Sequence, residues 1–173
     1  MIKVFDDVLS SEEFTTINNI LNPQESGSFP WYWCKILAKG EEMGDPLRNW
    51  FFYHMFYDNH GWVSNEASLL EPLLNKMVVR SLIRIKANIY PATEKIHRQG
   101  FHVDNAYQDA LTAIYYVNSN NGYTEFEDGT KVESIANRLI TFDSPTKHTG
   151  TTCTDQRGRS VINFNYPSLY YDK

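Results

Sequence analysis

The chain has 173 residues, a length that suits one domain and that buries enough surface to fold without disulfide or metal staples. Apolar residues make up 42% and charged residues 21%, the balance of an ordinary globular protein. A formal net charge of -5 argues against a dedicated nucleic-acid binder, since such domains are usually basic, and no apolar run approaches membrane-spanning length.

The start, Met1 to Asp7, lacks the apolar core of a signal peptide, and Val4 to Leu9 reads as a short strand. Ser10 and Glu13, three apart, form a capping box, and Phe14, Ile17, Ile20 and Leu21 follow at helical spacing until Asn22-Pro23 stops the helix. Phe29 to Trp33 reads as a strand. Residues 47–63 are crowded with rings (Trp50, Phe51, Phe52, Tyr53, Phe56, Tyr57, Trp62), which would form an interface if exposed. Glu66 to Val79 reads as a second helix, with Pro72 marking its first turn or a break. Cys34 and Cys153 are far apart and in no metal-ligand spacing, so a reducing compartment and a cytoplasmic location are expected.

From Ile83 the period changes to two: Ile83, Ile85, Ala87 and Ile89 alternate with Arg84, Lys86, Asn88 and Tyr90. Further strand-like runs are Leu111 to Val117, Gly122 to Phe126, Arg138 to Phe142 and Arg159 to Tyr166, with turn signals at 118–122, Asp128-Gly129, Ser144-Pro145 and 156–158. Helices followed by many short strands predict an α+β, mainly β layout: an antiparallel sandwich or barrel carrying helices on one face. Residues 1–173 read as a single unit, with strand and helix support over about 1–80 and a β core over about 81–168. Between Lys76 and Arg98 lie Lys76, Arg80, Arg84, Lys86, Lys95 and Arg98 against Glu94 alone. That basic run is either a solvated face or a wall beside an anion-binding pocket.

In an extended segment, residues i and i+2 project to the same side, so His102 and Asp104 reach one metal ion. Two histidines and one carboxylate make the facial triad of non-haem iron(II) oxygenases, which leaves three coordination positions open. His148, 44 residues beyond Asp104 and following the strand Arg138 to Phe142, suits the third ligand. Eleven residues further, Arg159 opens a strand whose one face carries Arg159, Val161, Asn163 and Asn165, and whose other face carries Ser160, Ile162, Phe164 and Tyr166. With the second face packed against helices, Arg159 looks into the barrel, where an unpaired charge is costly and calls for an anion. A guanidinium holds a carboxylate there through two parallel hydrogen bonds. Arg84 and Lys86 share the face of Tyr90, which predicts a basic inner rim. Residues 91–101 read as a flexible loop over the site, with Arg98 and His97 as substrate-gripping candidates, though His97 reads better as plain loop, while His54 and His60 read as structural.

The order His102-x-Asp104, His148, Arg159 resembles the 2-oxoglutarate/iron(II)-dependent oxygenase superfamily, in particular its prolyl-4-hydroxylase-like branch. The resemblance covers roughly residues 83–166, about half of the chain. Leu111 to Asn118 resembles that branch's strand ending in Tyr-Leu-Asn. Gly122-Tyr123-Thr124-Glu125-Phe126 is similar to its Gly-Gly-x-Thr-x-Phe hairpin, and Asn137 to Phe142 to the strand that leads to the distal histidine. Tyr123 stands where the family has a second glycine, Arg157 competes with Arg159 as the anchor, and the Arg-x-Asn-x-Thr-x-Arg run of the nucleic-acid-repair branch is missing.

The resemblance implies a double-stranded β-helix (a cupin-like jelly roll) with N-terminal helices on one face. It further implies iron(II) on His102, Asp104 and His148, and 2-oxoglutarate as co-substrate with its far carboxylate on Arg159. Tyr90 and Tyr116 match tyrosines that contact the co-substrate, and Thr112, Ile114 and Asn163 would line the same pocket. The implied reaction uses O2, with ascorbate as a reductant. It hydroxylates a prolyl or other amino-acid side chain of a peptide or protein while 2-oxoglutarate is decarboxylated to succinate. Three alternatives stay open: the same chemistry on a small molecule or free amino acid, a jelly-roll binding module without turnover, and a metal-dependent β-barrel enzyme that uses no 2-oxoglutarate. The last leaves Arg159 unexplained.

Overall fold

The structure is a computed structural model, and it describes residues 1–25, 27–35, 50–104 and 107–168. Residues 47–49 of the ring-rich segment, and Asn105 beside the His102-x-Asp104 pair, fall outside these residues. The elements in chain order are β1 (Lys3–Phe5), α1 (Ser11–Leu21), β2 (Tyr32–Lys35), β3 (Trp50–Asp58), β4 (Gly61–Trp62), a 3-10 turn (Ala67–Leu70), α2 (Glu71–Met77), β5 (Arg84–Pro91), β6 (Ala110–Tyr116), β7 (Tyr123–Phe126), β8 (Lys131–Glu133), β9 (Arg138–Asp143), β10 (His148–Gly150) and β11 (Gly158–Pro167). Two antiparallel sheets face each other. The larger runs β1-β9-β6-β11-β5-β3-β2 with β4 beside β3, and the smaller runs β10-β7-β8. This is the jelly-roll arrangement that the resemblance implies.

Alternation along the strands sorts side chains into two cores. On the outer face of the large sheet, Phe56, Ile85, Ala87, Ala113, Tyr115, Leu139, Ile162 and Phe164 pack with Ile17 and Leu21 of α1 and with Leu70 and Leu73 of the second helical segment. On the inner face, Tyr90, Ile114, Tyr116, Ile140, Phe142 and Val161 meet Phe126 and Val132 of the small sheet. The expected division of β11 is observed, with Ile162 and Phe164 in the helix-side core and Val161 in the inner one.

Several boundaries differ from the sequence reading for local reasons. β1 ends at Phe5, because Asp6 turns aside to pair with Arg138 (2.6 Å) and Asp7 takes a positive φ of 50°. β2 starts only at Tyr32, since Pro30 has no N–H to give a ladder and its carbonyl accepts from His54 Nδ1 at 2.8 Å. The expected single helix from Glu66 to Val79 is a 3-10 turn followed by a short α-helix, with Pro72 in the first turn of the latter and Val78 left-handed (φ 54°) at its end. The capping box at Ser10 and Glu13 is present, with both reciprocal hydrogen bonds formed.

The ring-rich segment is a nine-residue strand. Phe51 and Phe56 are buried on its opposite faces, and the Asn59-His60 turn to β4 has both residues at positive φ (48° and 65°), the geometry of a tight primed hairpin turn. No helix among the described residues is long and apolar enough to cross a membrane.

Phe164 is fully buried at the centre of the helix-side core. Truncation by Phe164→Ala is expected to lower unfolding free energy by about 3–5 kcal/mol, measured as a shift in the urea midpoint at unchanged slope.

Candidate active site

Among the described residues, one cluster of His, Cys, Asp and Glu side chains is arranged to hold a metal ion: His102, Asp104 and His148, with donor atoms all within 4.8 Å of one another. Backbone pairing creates it. His102 and His148 form an isolated antiparallel bridge, each N–H donating to the other's carbonyl (2.9 and 3.0 Å). This pairing sets the two imidazoles side by side, ring centroids 4.8 Å apart. Each Nδ1 lies against a carbonyl two residues earlier, His102 on Gly100 (3.1 Å) and His148 on Thr146 (3.0 Å). A carbonyl only accepts, so Nδ1 carries the proton and Nε2 keeps its lone pair for a metal. Phe126 and Phe142 pack around the His148 ring and fix its orientation.

Asp104 supplies the third donor, its Oδ1 3.8 Å from His102 Nε2. The carboxylate is nearly buried and is held by Arg84 (3.2 Å) and, at 3.3 Å, by Asn165 Nδ2. Burial pushes its carboxyl pKa up, but the charges of His148, Arg84, His102 and Lys86 together outweigh burial and hold it below the ordinary carboxylate value. Burial likewise draws His148 below the ordinary histidine value, which favours the neutral ring. Two imidazoles that each present Nε2 and an ionised carboxylate are the donor set that suits iron(II) with open positions, so these residues fit that metal.

The second half of the site is built around Arg159. Its side chain is 1% exposed, yet no carboxylate among the described residues lies within ion-pair distance of it. Nε donates to Ser134 Oγ (2.7 Å) and one terminal nitrogen to Thr124 Oγ1 (2.8 Å), which also accepts from the Tyr116 hydroxyl (2.8 Å). The guanidinium carbon lies 5.7 Å from the Tyr90 ring centroid and 5.4 Å from that of Tyr116. Burial pushes the Tyr90 phenol up to about 12 and also raises Tyr116, so both are neutral hydrogen-bonding groups at neutral pH.

Gly122 and Gly150 make room for the arginine. A Cβ at Gly122 would stand 2.9 Å from Arg159 Cδ and 2.8 Å from the Thr152 carbonyl, and one at Gly150 would stand 3.2 Å from an Arg159 terminal nitrogen. Arg157, the competing anchor, is exposed and contributes its carbonyl to Ala92 N–H (3.0 Å). A buried cation with no acid beside it fits an anionic carboxylate.

Between these two halves, Asn88, Asn163 and Asn165 each have a buried Oδ1, and Arg84 a buried Nε, without a protein hydrogen-bond partner. All four belong to the inward positions of paired strands, where Asn165 stands opposite Arg84, Asn163 opposite Lys86, Val161 opposite Asn88 and Arg159 opposite Tyr90. An unpaired buried polar atom costs about 1–3 kcal/mol, so this face is built to meet a polar ligand.

The expected lining residues thus reach the same inner face, though not the same end of it. Tyr90 and Tyr116 surround Arg159. Thr112 lies four positions down β6 from Tyr116, its hydroxyl engaged with Ser144 (2.9 Å) and Asn165 (3.0 Å), so it supports the Asp104 end. Ile114 lies opposite Asn163.

The basic run divides. Arg84 and Lys86 form the expected inner rim, whereas Lys76, Arg80 and Lys95 are exposed and Arg98 pairs with Glu125 (3.7 Å). The expected flexible loop 91–101 is pinned along the 148–153 segment. Thr93 N–H donates to Cys153 O, Thr152 N–H to His97 O and Gln99 N–H to Gly150 O (all 3.0 Å), and the Thr149 hydroxyl donates to Gln99 O. His54 is structural as expected, its second ring nitrogen on Ser64 Oγ at 2.7 Å. His60 is exposed in the β3–β4 turn. Sequence reasoning missed Ser134 and the Thr124 contact to Arg159, because short polar residues on a hairpin give no signal until the arginine is seen to reach them.

The sequence matches no family model, and no curated protein sequence matches it at a significant level. Its structure resembles those of 2-oxoglutarate/iron(II) oxygenases and prolyl hydroxylases. A prolyl hydroxylase from Trichoplax adhaerens, solved with a peptide fragment of the oxygen degradation domain of hypoxia inducible factor, is 14% identical with a TM-score of 0.65 over 96% of this chain and 83% of that one. A prolyl-4-hydroxylase from Pseudomonas putida is 12% identical, with a TM-score of 0.60 over 97% and 92%. The non-haem α-ketoglutarate-dependent carbocyclase SnoK of nogalamycin biosynthesis is 13% identical, with a TM-score of 0.61 over 96% and 79%.

Neutral His148 has a consequence for stability. Its pKa is lower in the folded chain than in the unfolded one, so the unfolded state binds more protons as pH falls below about 6.5. Stability of the metal-free protein is therefore expected to fall from about pH 7 to about pH 5. His148→Leu should flatten that fall, as read from urea midpoints across the range.

Proposed function

We propose that the protein is an iron(II)- and 2-oxoglutarate-dependent dioxygenase that hydroxylates a C–H bond, most simply of a prolyl or other amino-acid side chain in a peptide or protein. The observation that carries this reading is the pairing, on one inner face, of a two-histidine, one-carboxylate cluster with a fully buried arginine that has no acidic partner among the described residues. A binding module that had lost turnover would have no use for all four. Resemblance to two prolyl hydroxylases supports the amino-acid side chain as target, while resemblance to a carbocyclase keeps small-molecule substrates as the second reading.

In this reading His102, Asp104 and His148 hold iron(II) through Nε2, a carboxylate oxygen and Nε2. Arg159 receives the far carboxylate of 2-oxoglutarate, with Ser134 and Thr124 fixing the guanidinium and Tyr90 and Tyr116 walling it from water. Asn163 offers a buried amide between the two. Bound iron with O2 and 2-oxoglutarate supplies the oxidising power, 2-oxoglutarate leaving as succinate and carbon dioxide, and ascorbate restores iron(II) after unproductive turnovers. The protein's own contribution is positioning and exclusion of water. Arg84 and Asn165 orient Asp104, and the two backbone-bonded Nδ1 atoms orient the imidazoles.

Anaerobic titration of 2-oxoglutarate into the iron(II)-loaded protein is expected to raise a visible metal-to-ligand charge-transfer band. His102→Ala should abolish the band, and Arg159→Ala should raise the half-saturating concentration by about tenfold or more through loss of a charge-assisted contact. Folded, iron-loaded wild type that gives no band would overturn the reading.

A further inference from the structure

Lys86 is the inward cation that this function does not use. It lies on β5 between Arg84 and Asn88, opposite Asn163 of β11 and Met55 of β3. Among the described residues no carboxylate comes within ion-pair distance of its ammonium, which sits 5.2 Å from the Phe51 ring centroid. The nearby acid, Asp104, is already engaged by Arg84. Burial, and then the charge of Arg84, depress the lysine's pKa below its ordinary value, so the site tolerates this cation at a cost.

Formal charge sharpens the point. Arg84, Lys86 and Arg159 face inward with Asp104 as the acid among them, a surplus of two positive charges. Iron(II) adds two and 2-oxoglutarate removes two, so the surplus remains for the substrate to meet. Lys86 is also too far along the sheet to share the co-substrate's carboxylate with Arg159. Its register partner Asn163 stands four residues from Arg159, about 13 Å of strand.

The surface beside Lys86 is aromatic. The inner face continues past β5 onto β3 and β2, where Tyr53 lies opposite Asn88, Tyr32 opposite Tyr53, and Cys34 opposite Phe51. Phe51 is buried, Tyr53 is half-buried and Tyr32 is 55% exposed, so the shelf runs from the site out to solvent.

We propose that Lys86 binds a carboxylate of the substrate, whose apolar or aromatic body rests on the shelf of Phe51 and Tyr53, so that the enzyme acts on an organic acid. That acid is either a free small molecule or the acidic group of a peptide; the chemistry that Lys86 reads is the same. The inference rests on the oxygenase reading and narrows its substrate class.

The test uses iron(II)-loaded protein saturated with 2-oxoglutarate, without oxygen, and two acid–amide pairs: 3-phenylpropionate with its amide, and the peptide Ala-Ala-Phe with its C-terminal amide. Binding is followed by calorimetry and the charge-transfer band is recorded in the same samples. In wild type, at least one acid is expected to bind about tenfold or more tightly than its amide, the scale of a charge-assisted contact. The pair that shows the preference tells small acid from peptide. Lys86→Met should level the pair and Lys86→Arg should keep most of the preference, with half-saturation by 2-oxoglutarate unchanged in both.

Equal binding of acid and amide in both pairs would overturn the proposal, as would a preference that survives Lys86→Met. So would loss of the band as the acid binds, which would place the acid on Arg159 instead. A wild-type band with no acid preference rejects the substrate class alone; absence of the band rejects the oxygenase reading beneath it.

Discussion

The site depends on one register, that of β11 between β5 and β6. Hydrogen bonding along the three strands sets Arg159 opposite Tyr90, Val161 opposite both Asn88 and Tyr116, Asn163 opposite Lys86 and Ile114, and Asn165 opposite Arg84 and Thr112. Because side chains alternate, a slip of one residue would send every polar group of that row into the helix-side core and bring Ile162 and Phe164 inward. Burial on both faces makes such a slip prohibitive. The hydrophobic pattern that folds the sheet thereby also aligns the polar row on its inner face.

The proposed iron ligands stand on a different support. His102 and Asp104 come from an irregular segment and His148 from a three-residue strand of the small sheet, joined by two backbone hydrogen bonds between the histidines. Asp104 is then tied across to the large sheet through Arg84 and Asn165. The His102, Asp104 and His148 cluster is therefore tied to both sheets, whereas Arg159 is a large-sheet residue clasped by Thr124 and Ser134 from the β7–β8 side. Both halves of the site are held by contacts that cross between the two sheets, and correct closure of the sandwich is what assembles them.

Much of this was legible in the sequence because strand periodicity is local. The alternation Ile83 to Tyr90 and that of Arg159 to Tyr166 placed Arg84, Lys86, Tyr90 and Arg159 on inner faces, and the i, i+2 spacing put His102 and Asp104 on one side. The sequence also left Arg157 and Arg159 undecided, since both lie on the same alternate positions; only the start of β11 at Gly158 leaves Arg157 exposed. The nine-residue β3 was invisible for a related reason. Trp50 to Tyr57 is apolar on both faces, as a strand covered by helices on one side and a pocket on the other must be, so it shows no period of two. Loop 91–101 looked loose because Gly, Pro and charges dominate it, and nothing in its own residues announces the backbone bonds it makes with 148–153.

The two glycines beside Arg159 divide the pocket into a part with little steric room for substitution and a part with more. At Gly122 and Gly150 any side chain at all would press on the arginine, and its partner Thr124 also accepts from the Tyr116 hydroxyl, so the arginine end of the pocket admits little variation. The opposite end rests on β3 and on the edge strand β2, whose inward residues grade from buried Phe51 to exposed Tyr32. Under the proposed function, the substrate margin on β2 and β3 can therefore change without disturbing the packing around Arg159.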